Sequence, residues 1–332
     1  MRWGAAMEKA LYGPDGFFTR PGPGPAAHFR TSVHASPLFA SAVARLIARL
    51  DEALGRPDPF DVVDVGAGRG ELLTTLGTAF PDDLQRRLRR TAVEVGPRPA
   101  GLDAGITWGP SIPSGTVGML IATEWLDNVP VDVAVGATPR YLHVSGRPGI
   151  RVSRTDERWL REWWPHPAVT GARAEIGRLR DEAWADAVAS VSRGLAVAVD
   201  YGHLRDARPV FGSLAGYRDG RRVDPVPDGS CDVSAYVAMD AVAAAGALVA
   251  GIEPGVVSQR TALRALGVHG RRPPHSQAHD DPTGYVHALA LASAAAELTD
   301  PEGLGGHWWV VQPLDLSLSV CQSVIPAVFS SA

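Results

Sequence analysis

Two patterns of apolar residues alternate along this chain. LFASAVARLIARLDEALG (38–55) spaces them as a helix does, with charges between, and Gly55 before Pro57 predicts where that helix stops. DVVDV (61–65), TAVEV (91–95), GMLIATEW (118–125) and GLAVAVDYG (194–202) are short apolar runs bounded by turn residues, the signature of strands covered on both faces. ELLTTLGTAFPDDLQRRLRR (71–90) predicts helix broken at Pro81, so strand, helix and strand follow one another. VDVAVGATPRYLHVSG (131–146) alternates like antiparallel strands, and ARAEIGRLRDEAWADAVASVSRG (172–194) reads as helix. Further on, VSAYVAMDAVAAAGALV, TALRALGV and GYVHALALASAAAEL predict helices, and GHWWVVQP (306–313) a late strand. The succession predicts an open α/β sheet. RRPPHSQAHDDP (271–282) reads as the most mobile loop, and the uncharged, serine-broken stretch 316–332 as a loose tail.

Composition narrows the chemistry. Lys9 is the only lysine, so neither a phosphate-loop lysine nor a Schiff-base lysine is available inside the fold. The net charge of -4 and the scattered arginines leave no footprint for nucleic acid, and Arg86, Arg87, Arg89 and Arg90 read as a solvated helix face. Cys231 and Cys321 stand far apart without metal or redox spacing, as in a protein with reduced thiols, and the ten histidines show no ligand spacing; no metal is expected. No secretory signal or membrane span is evident, and a cytoplasmic location is the expectation. Trp163, Trp164, Trp308 and Trp309 are expected in packing, since no basic groove accompanies them.

The strand DVVDV runs into Gly66, Gly68 and Gly70, and three occupants of that turn compete: a dinucleotide, S-adenosylmethionine, or nothing. Glu71 stands where a dinucleotide fingerprint has its third glycine, and a carboxylate is the wrong sign for a pyrophosphate. S-adenosylmethionine carries a positive sulfonium instead, so Asp64 and Glu71 beside the loop suit it. Glu94, at the end of the next strand, can accept both hydroxyls of a ribose, a feature that NAD sites share. An ordinary tight turn with a capping Asp64 and an exposed Glu94 is the bland alternative.

IATEWLDNVPV (121–131) delivers Glu124 and Asp127 into a loop closed by Pro130. With ALYGPDGFF (10–18), HFRTSVHASPLFA (28–40), VVDVGAGRGELL, VEVGP, AVDYG, GSLAGYRDGR, DGSCDVSAYV and SQRTALRALG in this order, the chain resembles the MidA family of S-adenosylmethionine-dependent methyltransferases over nearly its whole length. Its mitochondrial members assist respiratory complex I assembly as protein arginine methyltransferases.

The resemblance implies a Rossmann-like class I methyltransferase sheet, mostly parallel with an antiparallel late strand, an N-terminal helical cap (1–57), a core (58–145 and 190–315) and a helical insertion (146–189). It implies that Asp64, Gly66, Gly68, Gly70 and Glu94 hold S-adenosylmethionine. Glu124 and Asp127 would face the substrate nitrogen, gripping a guanidinium, with Asp127 or a water accepting the proton afterwards. Thr123 replaces the family's usual asparagine and His28 a frequent aspartate. The expected partner is a protein substrate, with homodimerisation left open. Two other readings stand beside this one: a cofactor-binding assembly scaffold with weak catalysis, and an NAD-dependent oxidoreductase, disfavoured by Glu71.

Overall fold

In the computed structural model, residues 1–20, 31–165 and 169–329 are described. Strands β1 (Phe60–Val65), β2 (Leu88–Val93), β3 (Ile106–Gly109), β4 (Thr116–Thr123), β5 (Val191–Asp200), β6 (Gly255–Ser258) and β7 (Trp308–Leu314) form a seven-stranded sheet in the order β3-β2-β1-β4-β5-β7-β6. β7 alone runs opposite to the other six strands, as expected of the late strand. The apolar runs are buried on both faces because alternate residues serve different cores. Val62, Met119, Ile121, Leu195 and Val197 pack on one side, Val63, Leu120, Ala122, Ala196 and Ala198 on the other.

The first side is covered by the helix Pro37–Ala53, which presents Phe39, Val43, Leu46, Ile47 and Leu50 at helical spacing. Ser36 caps it by accepting from Leu38 N, and Pro37 opens its first turn. The other side is covered by the helices Arg178–Ala189 and Met239–Ala250 through Trp184, Val188, Val242 and Ala243.

Four segments depart from the sequence-based expectation. The stretch 1–57 is two units: the helix Trp3–Tyr12 packs on Val131, Val133 and Leu142 of the insertion, whereas Pro37–Ala53 belongs to the core. The insertion begins earlier than 146 and is not purely helical; Asp132–Val135, Arg140–Leu142, Pro148–Arg151 and Arg173–Ile176 form an antiparallel sheet on the helix Arg154–Trp163. Residues 316–329 are not loose: two short helices bury Cys321, Val324, Ile325, Val328 and Phe329 in the core, which their apolar content favours over solvent. In 271–282, His275–Asp280 is helical.

Gly118 and Gly194 face each other across β4 and β5, with φ of 139° and 135°. A Cβ on Gly194 would lie 1.9 Å from the Gly118 carbonyl oxygen, so the two strands approach where no side chain fits. Cys231 and Cys321 are free and buried. Among the described residues, no helix is long and apolar enough to cross a membrane and no three His, Cys, Asp or Glu side chains cluster as metal ligands.

Candidate active site

The carboxyl ends of β1, β2, β4 and β5 open into one cavity of ≈ 1230 Å³. Its cradle is the turn after β1. Gly66, Gly68 and Gly70 have φ of 72°, 60° and 81°, which lets the chain double back so that Gly66 N and Ala67 N donate to Val93 O at 3.0 and 3.3 Å. A side chain on Gly66 would press on Trp125 at 3.1 Å. Gly68 and Gly66 line the cavity; Gly70 stands behind the wall against Leu102 and starts the helix Glu71–Leu76.

Glu94 closes this turn. Its Oε2 accepts from Gly68 N at 3.0 Å, and its Oε1 from Val95 N at 2.8 Å and Gly96 N at 3.1 Å. Burial holds it above the usual carboxylate range even against those three donors. Oε1 has both lone pairs engaged, and Oε2 keeps one for an incoming hydroxyl. Asp64 is buried rather than a surface cap, and burial, with Glu71 and Glu94 nearby, pushes it up to about 8. Burial would also raise Glu71, but the His34 ring 3.2 Å away and the Arg69 N–H at 2.9 Å outweigh it and hold it low.

The second carboxylate group comes from β4. Glu124 takes a left-handed φ of 51°, and its N–H donates to Val199 O at 2.8 Å, so the strain is held in place by β5. Its Oε1 accepts from Ser32 N at 3.1 Å, and burial pushes it up to about 8, with Asp127 adding to the effect. Asp127 accepts from the Tyr201 hydroxyl; burial pushes it up to about 6 despite that bond. Asp200 Oδ2 accepts from Leu126 N at 3.0 Å and Asp127 N at 3.2 Å, and Asp232 Oδ1 accepts from Asn128 Nδ2 at 2.7 Å. Thr123 Oγ1 and Asp127 Oδ1 are buried with no hydrogen-bond partner among the described residues.

Six of the seven residues singled out in the sequence thus line one cavity, and Gly70 shapes it from behind. Asp200 and Tyr201 prove to organise the Asp127 loop. Tyr12, Ser32, Asp232, Tyr236 and His307 also reach the site and were not anticipated; DGSCDVSAYV was visible as a block, but no local pattern attaches chemistry to Asp232. His28 lies outside the described residues.

The lining suits a cation and not a pyrophosphate. Asp64, Glu71, Glu94, Glu124, Asp127 and Asp232 face it, and among the described residues no arginine or lysine does. A glycine cradle, a carboxylate with a free lone pair at the end of β2 and unpartnered buried oxygens fit S-adenosyl-L-methionine.

Residues 42–256 match the family described as "Putative S-adenosyl-L-methionine-dependent methyltransferase". Among solved structures, the chain is similar to a COG1565-superfamily protein from Burkholderia thailandensis bound to S-adenosyl-homocysteine, at 25% identity and a TM-score of 0.74 over 94% of this chain and 87% of that one. A native structure of a COG1565-superfamily protein from the same organism shares the fold at 23% identity, with a TM-score of 0.74 over 96% and 89% of the two chains. Comparison with curated proteins gives no match.

Proposed function

The chain belongs to this family of S-adenosyl-L-methionine-dependent methyltransferases, and from that premise we propose that its methyl acceptor is a guanidinium nitrogen of a protein arginine. One observation carries the reading: the cavity is lined with carboxylates and, among the described residues, with no competing arginine or lysine. A guanidinium keeps its charge at any physiological pH and offers planar donors that paired carboxylates grip.

S-adenosyl-L-methionine supplies a methyl group on an already activated sulfonium, which leaves the protein chiefly a positioning task. Gly66, Gly68, Asp64 and Glu94 hold the donor. Glu124 and Asp127 grip the acceptor, Asp127 through the Oδ1 that no described residue occupies while Tyr201 fixes its other oxygen. Thr123, where the family usually has asparagine, brings a hydroxyl to the same wall.

The test is transfer of labelled methyl from S-adenosyl-L-methionine to proteins of a lysate, followed by hydrolysis and amino-acid analysis. Label in methylarginine supports the reading. Label in lysine, in another residue or in small molecules overturns it, and cofactor binding without any transfer favours the scaffold alternative.

A further inference from the structure

His307 sits on the cavity wall just before β7, where sequence reasoning had found nothing for a histidine to do. It is 9% exposed, its Nδ1 has no hydrogen-bond partner among the described residues, and that atom lies 4.0 Å from Glu124 Oε1. The ring is held from three directions. Its main chain is fixed by Leu304 O, which accepts from His307 N at 3.2 Å, and by Gln259 N, which donates to His307 O at 2.7 Å. Its face is held by Tyr201, 5.5 Å away between ring centres. Tyr201 is the residue that fixes Asp127, so one aromatic ring spans the imidazole and the Asp127 carboxylate.

We propose that His307 is the group that accepts the proton from the acceptor nitrogen, and that Glu124 holds the opposite ring nitrogen while it does so. This rests on the reading of the acceptor as a guanidinium. The balance requires such a group. The acceptor nitrogen's lone pair forms the bond to the methyl carbon, the carbon–sulfur bond breaks with its electron pair left on sulfur, and the guanidinium would carry two positive charges unless one N–H proton leaves. Asp127 gives one oxygen to Tyr201 and the other to gripping the acceptor, and the methylated product is still a cation for it to hold, so a separate group carries the proton away. His307 is free to take it. The charged groups around it are Glu124 and Asp127 from the β4 loop, with Tyr201 at the end of β5, and Glu297, Asp300 and Glu302 on the same cavity.

Burial alone pushes the ring down to about 4, so at neutral pH it is uncharged and keeps a lone pair. Burial keeps Glu124 protonated up to about pH 8, and the positive charge of an arriving guanidinium favours its ionised form. The carboxylate beside Nδ1 then selects the tautomer with the proton on that atom, leaving Nε2 as the acceptor, and pairs with the imidazolium once it forms. A 4.0 Å separation is the kind of loose contact that tightens when substrate binds.

The experiment has two arms on the full-length protein. In the first, His307→Asn and, as a second variant, His307→Gln are compared with wild type for affinity toward S-adenosyl-homocysteine and for labelled methyl transfer to arginine. Affinity is expected within about threefold of wild type, and transfer is expected to fall about 100-fold. In the second, nitrogen NMR of isotopically labelled histidine, with S-adenosyl-homocysteine bound, follows the resonance that disappears in His307→Asn. It is expected to stay neutral down to about pH 5 and, above about pH 8 where Glu124 is ionised, to carry its proton on Nδ1, a preference lost in Glu124→Gln. Undiminished transfer in both histidine variants overturns the proposal, as does a ring that titrates near its ordinary value and ignores Glu124→Gln. If wild type labels no arginine, the acceptor reading falls, and the NMR arm alone still judges the pairing of His307 with Glu124.

Discussion

The guanidinium of Arg180 donates to the main-chain carbonyl of Asp127 at 2.6 Å, while the Asp127 carboxylate points elsewhere, to Tyr201. The same fully buried guanidinium also serves the carbonyls of Val129, Ala235 and Tyr236 at 2.9–3.0 Å. One cation on the core helix Arg178–Ala189 therefore ties the Asp127 turn to the segment after Asp232 through main-chain carbonyls, and its charge also draws the Asp127 carboxyl down against burial. Replacing it by methionine, similar in length and uncharged, leaves those carbonyls without their charged donor. Arg180→Met is expected to cost about 3 kcal/mol or more in urea unfolding, since a hydrogen bond to a charged group contributes roughly 1.5–3 kcal/mol and here several fail together.

Gly68 sits at a φ of 60° and donates to Glu94, so it links the cradle to the carboxylate proposed to hold the ribose. A left-handed backbone costs an ordinary residue roughly 1–2 kcal/mol, and a Cβ there would stand 3.4 Å from Glu71 Oε2 at the cavity wall. Gly68→Val is expected to weaken S-adenosyl-homocysteine by at least about tenfold in isothermal titration, with far-ultraviolet circular dichroism unchanged. Wild-type affinity in the variant would remove the loop from the cofactor site.

Removing the ionisable group but not its shape separates gripping from folding. Glu124→Gln and Asp127→Asn should each lower methyl transfer by roughly 10- to 1,000-fold while changing S-adenosyl-homocysteine affinity by less than about threefold. An equal loss of cofactor binding in both amides would make the pair structural.

The buried carboxyls also set a pH dependence with a definite sign. Asp64 and Glu124 are pushed up to about 8 and Asp127 to about 6, so the folded chain holds protons that an unfolded chain releases near pH 4. Their contribution to stability is full below about pH 4 and is lost as pH rises toward 8. The thermal midpoint of the ligand-free protein should fall by roughly 5 °C between pH 5 and pH 8.5 through these groups, and the fall should be shallower in Glu124→Gln. Parallel profiles for the two proteins would show that Glu124 is not protonated in the fold.

The parts of this site that the sequence shows are those in which one short segment carries both the element and its chemistry. Gly66, Gly68 and Glu94 each sit one to three residues beyond a buried strand, so an apolar run followed by a turn announces them. Glu124 and Asp127 follow β4 in the same way. Ser32 and His307 reach the cavity only because the strand order sets the start of β7 beside the ends of β5 and β4 and residues 31–35 fold over them, while Asp232 comes from a separate three-stranded sheet and is held there by Asn128; nothing in their own neighbourhoods records that. The tail misled for a different reason. Ser317 caps the first of two short helices, Ser319 and Ser323 sit on its exposed side, and Pro326 opens the second, so Ile325 and Val328 are buried all the same.

The glycine pair across β4 and β5 has a consequence for anyone comparing relatives of this chain. Apart from silent changes, any replacement at Gly194 brings a Cβ that the Gly118 carbonyl excludes, and a Cβ on Gly118 meets Asp61 O at 2.3 Å in turn. Both positions should therefore tolerate no drift, even though they lie toward the opposite end of β4 from Glu124 and touch no ligand. Invariance there would be the mark of two backbones in contact, and a ranking of residues by conservation alone would mistake it for catalysis.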